Sequence, residues 1–311
     1  MPLRHDGTSH PRSIGIVCAV GAALLGLVYL TMAGAPMRYL GVNAGALLIG
    51  LAMLAMVGGT PWRDRRWSGV MTLAMAILLL GTALFGDKDQ DAARWVRLGP
   101  LFIQPSLVLL PVMIVRFAQS PNGRSTLGMV IAAVALALQP DRAMAGMLAT
   151  GLAVLVMMRP DAPFVTPAFA SGVASFAVTL IRTDTLRPTP YVEKVFYSAF
   201  DVHIVAGLLV MTGAALLLVP AIVGKLCDAD HQETYLVFGA VWFTAILSAA
   251  LGNYPTPIVG YGGSAVIGYV LSLTMLPKTA RPRVGAEAVP HDGTKGGSAV
   301  YRCPSAVAYL A

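Results

Sequence analysis

The sequence predicts an all-α polytopic membrane protein of about ten transmembrane helices with both termini cytoplasmic. Three observations predict it. Apolar residues fill 56% of the 311 positions and charged residues only 12%, where a soluble domain carries roughly 25% charge; the mean hydropathy is +0.71. The apolar residues gather into ten runs, most of them near the ~20 residues that cross a ~30 Å hydrocarbon core. Finally, an N-terminus placed inside puts 14 of the 22 lysines and arginines in inside segments and 8 outside, the bias expected of cytoplasmic loops.

The runs occupy 14–35, 39–58, 67–85, 101–118, 125–138, 143–158, 163–181, 202–223, 235–251 and 259–276. Residues 1–13 form a short basic cytoplasmic segment, 14–277 one membrane domain, and 278–311 a Gly/Pro/Ala-rich tail whose composition predicts disorder. The first run is 22 residues long and lacks a small-residue cleavage site, so an uncleaved span fits better than a signal peptide. The net charge of +7 lies in the loops between spans and does not imply nucleic-acid binding. Cys18 falls in the first run, Cys227 in an inside loop and Cys303 in the tail, which leaves no extracytoplasmic disulfide framework.

Polar chemistry enters the apolar background at four places. The loop 86–99 carries Asp87, Lys88, Asp89, Asp91, Arg94 and Arg97 beside Trp95. Trp95 reads as an interfacial anchor, while Arg94 and Arg97 offer guanidinium forks suited to a phosphate or pyrophosphate. The fifth and sixth runs, 14 and 16 residues, are short for full spans and flank Gln139-Pro140-Asp141-Arg142. That turn either dips toward a polar cavity or is an ordinary loop, with Asp141 capping the next helix and Arg142 reaching for the interface.

Asp201 and His203 open the eighth run. Asp201 is either a helix cap or a desolvated general base, and His203 a cavity group or a hydrogen-bonded packing residue. Two ligands of the Asp-x-His kind are a weak metal signal, and no metal site is assigned. Last, Pro255-Thr256-Pro257-Ile258-Val259-Gly260-Tyr261-Gly262-Gly263-Ser264 interrupts apolar helix at membrane depth. Irregular backbone is tolerated there only where it is buried in protein or lines a cavity.

Together these pieces resemble the shape, elongation, division and sporulation family, the FtsW and RodA proteins, ten-span enzymes that polymerise peptidoglycan. Arg94-Trp95-Val96-Arg97-Leu98-Gly99-Pro100 with Gln104-Pro105-Ser106 matches the family's Arg-Trp-Ile-x-Leu-Gly…Gln-Pro-Ser segment, and Gln139-Pro140-Asp141 its Gln-Pro-Asp turn. Phe200-Asp201 stands where the family has its catalytic Thr-Asp, and 255–264 is similar to Pro-Leu-Pro-Phe-Ile-Ser-Tyr-Gly-Gly-Ser. The resemblance covers roughly 14–277. It implies a bacterial inner-membrane glycosyltransferase acting in cell-wall growth or division. The substrate would be lipid II, an undecaprenyl-pyrophosphate-linked disaccharide, and the partner a class B penicillin-binding transpeptidase.

In that mechanism Asp201 deprotonates the acceptor hydroxyl. Arg94, Arg97, Gln139, Asp141, Arg142, Tyr261, Gly262, Gly263 and Ser264 bind substrate, with Mg or Mn a compatible cation at the pyrophosphate. If the motifs share a site, Arg94, Arg97, Asp141, Asp201 and Tyr261 converge on one outward cavity.

The departures are specific. Leu107 and Leu110 replace the family's Glu and Lys, Arg142-Ala143-Met144 its Leu-Gly-Thr, and Leu209-Val210 its Glu-Glu pair. Gly252-Asn253 stands near its Thr-Thr-Gly, and the loop before Asp201 is only about twenty residues. Losing Glu and Lys together avoids stranding one charge in the membrane. These losses favour a second reading, a non-catalytic scaffold or regulator of wall synthesis. A transporter of lipid-linked precursor is the third, though no inverted repeat supports it.

Overall fold

The protein is seen in a computed structural model that describes residues 10–57, 65–89, 92–98, 101–182 and 188–279. The tail beyond Thr279, the first nine residues, and Gly99-Pro100 of the first motif lie outside the described residues.

Helix α1 (Pro11–Met32) starts on a proline, whose fixed φ suits the first helical position, and a turn with Gly34 at φ +70° leads to α2 (Met37–Val57). Helix α3 (Arg65–Phe85) follows, then a small antiparallel ribbon of β1 (Asp87–Asp89), β2 (Ala92–Leu98) and β3 (Leu101–Ile103) in that order. After it come α4 (Pro105–Gln119), α5 (Gly123–Leu138), α6 (Arg142–Met158) and α7 (Val165–Ile181). The last third holds α8 (Val195–Val202), α9 (Ile204–Leu216), α10 (Val219–Cys227), α11 (Gln232–Leu251) and α12 (Gly263–Ser272) with a closing 3₁₀ turn, Leu273–Met275.

Among the described residues, five helical stretches are long and apolar enough to cross a membrane: Pro11–Met32, Met37–Val57, Trp67–Phe85, Ile204–Cys227 and Gln232–Leu251. Shorter apolar helices fill the remaining runs. A 16-residue helix such as α5 reaches about 24 Å at 1.5 Å per residue. That is less than a ~30 Å core, so the turn joining α5 to α6 sits below a full span's depth if both start at one surface.

Three boundaries differ from the sequence expectation. The charged segment 86–99, expected as a loop, supplies β1 and β2, and the fourth apolar run gives its first residues to β3. Pro105 then starts α4. The eighth run is not one helix from 202. Asp201 lies inside α8, the chain breaks at His203 in extended backbone (φ −170°, ψ 148°), and α9 begins afresh. Arg12, expected in a polar tail, is buried within α1. Its guanidinium donates to the carbonyls of Thr274 (2.6 Å) and Leu276 (3.0 and 2.5 Å), tying the first helix to the last.

The helices pack as α3 on α5, α6 against α7 and α11, α1 against α9, and α12 between α2 and α4. Two of the largest polar side chains in the core are paired, as an apolar interior favours. The Trp242 indole N–H donates to Ser272 Oγ (3.1 Å) and the Tyr269 hydroxyl to the Leu217 carbonyl (3.0 Å). The two rings meet edge to face at 4.9 Å.

The irregular segment, expected at 255–264, runs without helix over 252–262, buried at 256–260 and half-buried on either side, before α12 begins at Gly263. Its crossing of α1 and α9 depends on two glycines. A Cβ at Gly26 would lie 2.7 Å from Val259 Cα, and one at Gly213 2.4 Å from Val259 Cγ1. Ile258, at φ +64°, occupies the left-handed region, where a β-branched residue costs of order 1–3 kcal/mol; burial of Ile258 and Val259 opposes that strain.

Candidate functional site

Strand alternation in β2 sends neighbouring charges to opposite fates. Arg94 is buried, and its Nε and Nη2 donate to the carbonyls of Gln139 (3.2 Å) and Pro140 (2.6 Å). It thereby staples the ribbon to the turn between α5 and α6. Arg97 faces outward with its guanidinium 4.8 Å from the ring centroid of Phe102, its cross-strand partner.

Asp141 is both a helix cap and a member of a buried polar network. Its Oδ1 accepts the Met144 N–H (3.3 Å) and caps α6, while Oδ2 accepts from Gln104 Nε2 (2.9 Å) and Ser106 Oγ (3.3 Å). The carboxyl is 1% exposed, and Arg94 is its charged neighbour. Gln139 beside it is equally buried. Its Nε2 donates to the Leu79 carbonyl (3.4 Å), and Oε1 has no hydrogen-bond partner. Arg142 turns away, donating to the carbonyls of Thr179 (3.4 and 3.2 Å) and Arg182 (3.3 Å) at the end of α7. A cation is favoured at that helix terminus.

The re-entrant segment is wired to three other parts of the chain. Asn43 of α2 is buried; its Nδ2 donates to the Gly260 carbonyl (2.8 Å) and its Oδ1 accepts the Gly262 N–H (3.1 Å). Tyr261 stacks on Tyr39 with centroids 3.8 Å apart, and its N–H donates to the Tyr191 carbonyl (2.6 Å). The Ser264 hydroxyl accepts the Gln104 N–H (2.9 Å), and Gly263 opens α12. The four motif residues 261–264 thus join α2, the 188–194 strap and the start of α4.

A cleft opens where these parts meet. Arg94, Gln104, Asp141, Glu193, Asn253 and Tyr254 line it. Its cavity volume is about 20 Å³, close to a single water. Leu107, at the position of the family's Glu, also lines it; Leu110 is fully buried in the core. Of the expected site residues, the structure brings Arg94 and Asp141 into the cleft, with Gln139 behind the turn and Ser264 beneath Gln104.

Asp201 is elsewhere. It is exposed on α8 among the exposed side chains of Tyr197, Phe200, Val202 and Ile204, and neither it nor Tyr261, Arg97 or Arg142 lines the cleft among the described residues. The convergence of five residues expected of a shared site is therefore reduced to two. His203 explains the geometry: its Nδ1 accepts the Val205 N–H (3.1 Å) and caps α9 in place of Asp201. Sequence reading passed over Gln104, Glu193 and Asn43 as site or supporting residues. Asn43 had a usable signal, a lone amide inside an apolar 21-residue helix, where a polar side chain needs a partner. No group of three or more metal-ligating His, Cys, Asp or Glu side chains occurs among the described residues.

No protein-family model matches the sequence, and no curated protein matches it either. Solved structures do. The rod shape determining protein RodA of Thermus thermophilus superposes with a TM-score of 0.61 at 21% identity, over 84% of this chain and 93% of that one. The chain has the RodA-like fold. A point mutant of the same Thermus protein gives a TM-score of 0.61 at 20% identity, covering 84% and 94% of the two chains. A chain from a structure described as a peptidoglycan synthase complex, coordinating polymerization and crosslinking, gives 0.57 at 22% identity, covering 84% and 95%. At such identities the likeness establishes architecture, and activity has to be argued from the site.

Proposed function

We propose that this chain is a divergent membrane glycosyltransferase that polymerises lipid II into peptidoglycan during cell-wall growth or division. The observation that carries the reading is the cleft. In a RodA-like fold, the Arg-Trp, Gln-Pro-Ser and Gln-Pro-Asp segments join one polar network through Arg94, Gln104, Ser106 and Asp141, beside the re-entrant segment. On this reading all ten apolar runs span the bacterial inner membrane with both termini cytoplasmic, and the cleft faces the outer leaflet. Lipid II is the substrate, and a class B penicillin-binding transpeptidase the partner.

Arg94 is the cation best placed for the pyrophosphate, with Asp141 lining the same cleft, Gln139 supporting the turn that Arg94 reaches and Ser264 holding Gln104 in place. Arg97 and Arg142 act at its margins, and Mg or Mn is compatible with the leaving pyrophosphate. Asp201 is the base that the resemblance implies. From its place on α8 it meets an acceptor only along the lipid-facing flank.

The narrowness of the cleft and the exposure of Asp201 favour, as the second reading, a scaffold that keeps the fold without turnover. Polymerisation of purified lipid-linked substrate separates the two. Wild type with the transpeptidase is expected to make glycan polymer, and none under any condition removes the enzyme reading. Equal activity in Asp201→Asn removes Asp201 as base.

A further inference from the structure

Three carboxyl groups stand near the outer end of the bundle, and they differ in what a substrate hydroxyl could reach. Asp141 is 1% exposed and occupied by three donors, with Arg94 as its charged neighbour; it holds the turn together. Asp201 lies outside the cleft on an apolar flank. Glu193 is half-buried and lines the cleft itself, together with Arg94 and Asp141.

Its position is built. The Tyr191 and Val192 carbonyls accept the N–H groups of Tyr261 (2.6 Å) and Thr256 (2.9 Å), so the residues just before Glu193 are sewn to the re-entrant segment. Tyr191 and Lys194 on either side both adopt left-handed backbone (φ 68° and 57°). Two non-glycine residues in that region mark a strap held by its surroundings, a pattern that concentrates at functional sites. The Thr189 N–H donates to Glu193 Oε2 (2.6 Å), which fixes the carboxylate's orientation.

We infer that Glu193, in place of the Asp201 that the resemblance implies, is the general base of the glycosyl transfer proposed above, an inference that rests on that reading. A Glu193 carboxylate oxygen takes the proton of the acceptor sugar hydroxyl. The freed oxygen forms a bond to the anomeric carbon of the donor, whose bond to the pyrophosphate oxygen breaks. That bond's electron pair leaves with the lipid pyrophosphate, and solvent later removes the proton from Glu193. Burial raises the Glu193 carboxyl above the usual glutamate range, toward the pH at which a base works best.

The test uses the full chain with its transpeptidase and a fluorescent lipid-linked disaccharide, reading polymer, substrate binding and thermal midpoint together. Glu193→Gln is expected to lower kcat by about 10²-fold or more, the scale of general-base loss, with KM kept and the midpoint no lower than wild type. Glu193→Asp is expected to restore part of the rate. Lys194→Asn, which tolerates the left-handed backbone, is expected to keep wild-type turnover. Wild-type kcat in Glu193→Gln overturns the inference while leaving the glycosyltransferase reading standing. So does a loss that tracks weakened binding or unfolding and is not restored by Glu193→Asp. A wild type that binds the lipid and makes no polymer overturns both.

Discussion

The turn between α5 and α6 and the junction between α8 and α9 each carry an acidic residue beside a helix start, and the fold treats them in opposite ways. At the first, Asp141 caps α6 and also joins Gln104 and Ser106 of another segment, while Arg94 reaches the same turn from the ribbon. At the second, His203 caps α9 and leaves Asp201 exposed at the end of α8. An acidic residue near a helix start is thus a local signal with two outcomes. Which one occurs depends on whether distant donors arrive, and donors arrive only where the ribbon folds over the bundle.

The largest expected effect breaks that contrast at its wired end. Asp141→Ala removes the cap of α6 and the acceptor for two side chains, taking that partner from the Met144 N–H, Gln104 Nε2 and Ser106 Oγ. Each donor left unsatisfied in the interior costs about 1–3 kcal/mol, so with three of them the detergent-solubilised protein should show a large drop in unfolding midpoint. Asp201→Asn at the unwired end should leave the midpoint unchanged. Comparable losses in both would show that the α8 carboxylate carries structure that the geometry does not assign to it.

A smaller effect is expected one layer away. Asn43→Leu strands the Gly260 carbonyl and the Gly262 N–H in a buried turn, and each unsatisfied buried group costs about 1–3 kcal/mol. The variant should therefore lose about 2–4 kcal/mol, with faster hydrogen exchange at residues 260–262 than in α12. A uniform loss of protection across the bundle would instead mean that Asn43 supports global packing.

The same contrast shows what was legible in the sequence. The ten apolar runs were, because hydrophobic burial repeats along each helix and needs no distant partner to be read. The re-entrant segment was legible because its prolines and glycines exclude regular helix. The ribbon was not: Asp87–Asp89 and Ala92–Leu98 read as charged loop until the cross-strand pairs, such as Arg97 with Phe102, form. The place of Glu193 was hidden for a stronger reason. It is set by hydrogen bonds from Thr256 and Tyr261, more than sixty residues further along the chain, so no local pattern around 193 distinguishes it from the other charges of its loop.

Glu193 also gives the smallest and most selective prediction. Burial raises its carboxyl above the ordinary value of 4.5, and the bond from the Thr189 N–H offsets this only in part. Between pH 4.5 and the raised value the folded protein keeps a proton that the unfolded chain has released. In this window the unfolded state binds fewer protons, so stability contributed by this group falls as pH rises. Arg94 and Asp141 face the same cleft in both proteins, so the informative quantity is a difference. Stability of Glu193→Gln minus wild type should grow through that window and then level off, read from unfolding midpoints at closely spaced pH values. A flat difference would mean that burial leaves the Glu193 carboxyl unshifted, and one that shrinks as pH rises would mean that it is held as a stabilised anion; either result removes the raised carboxyl.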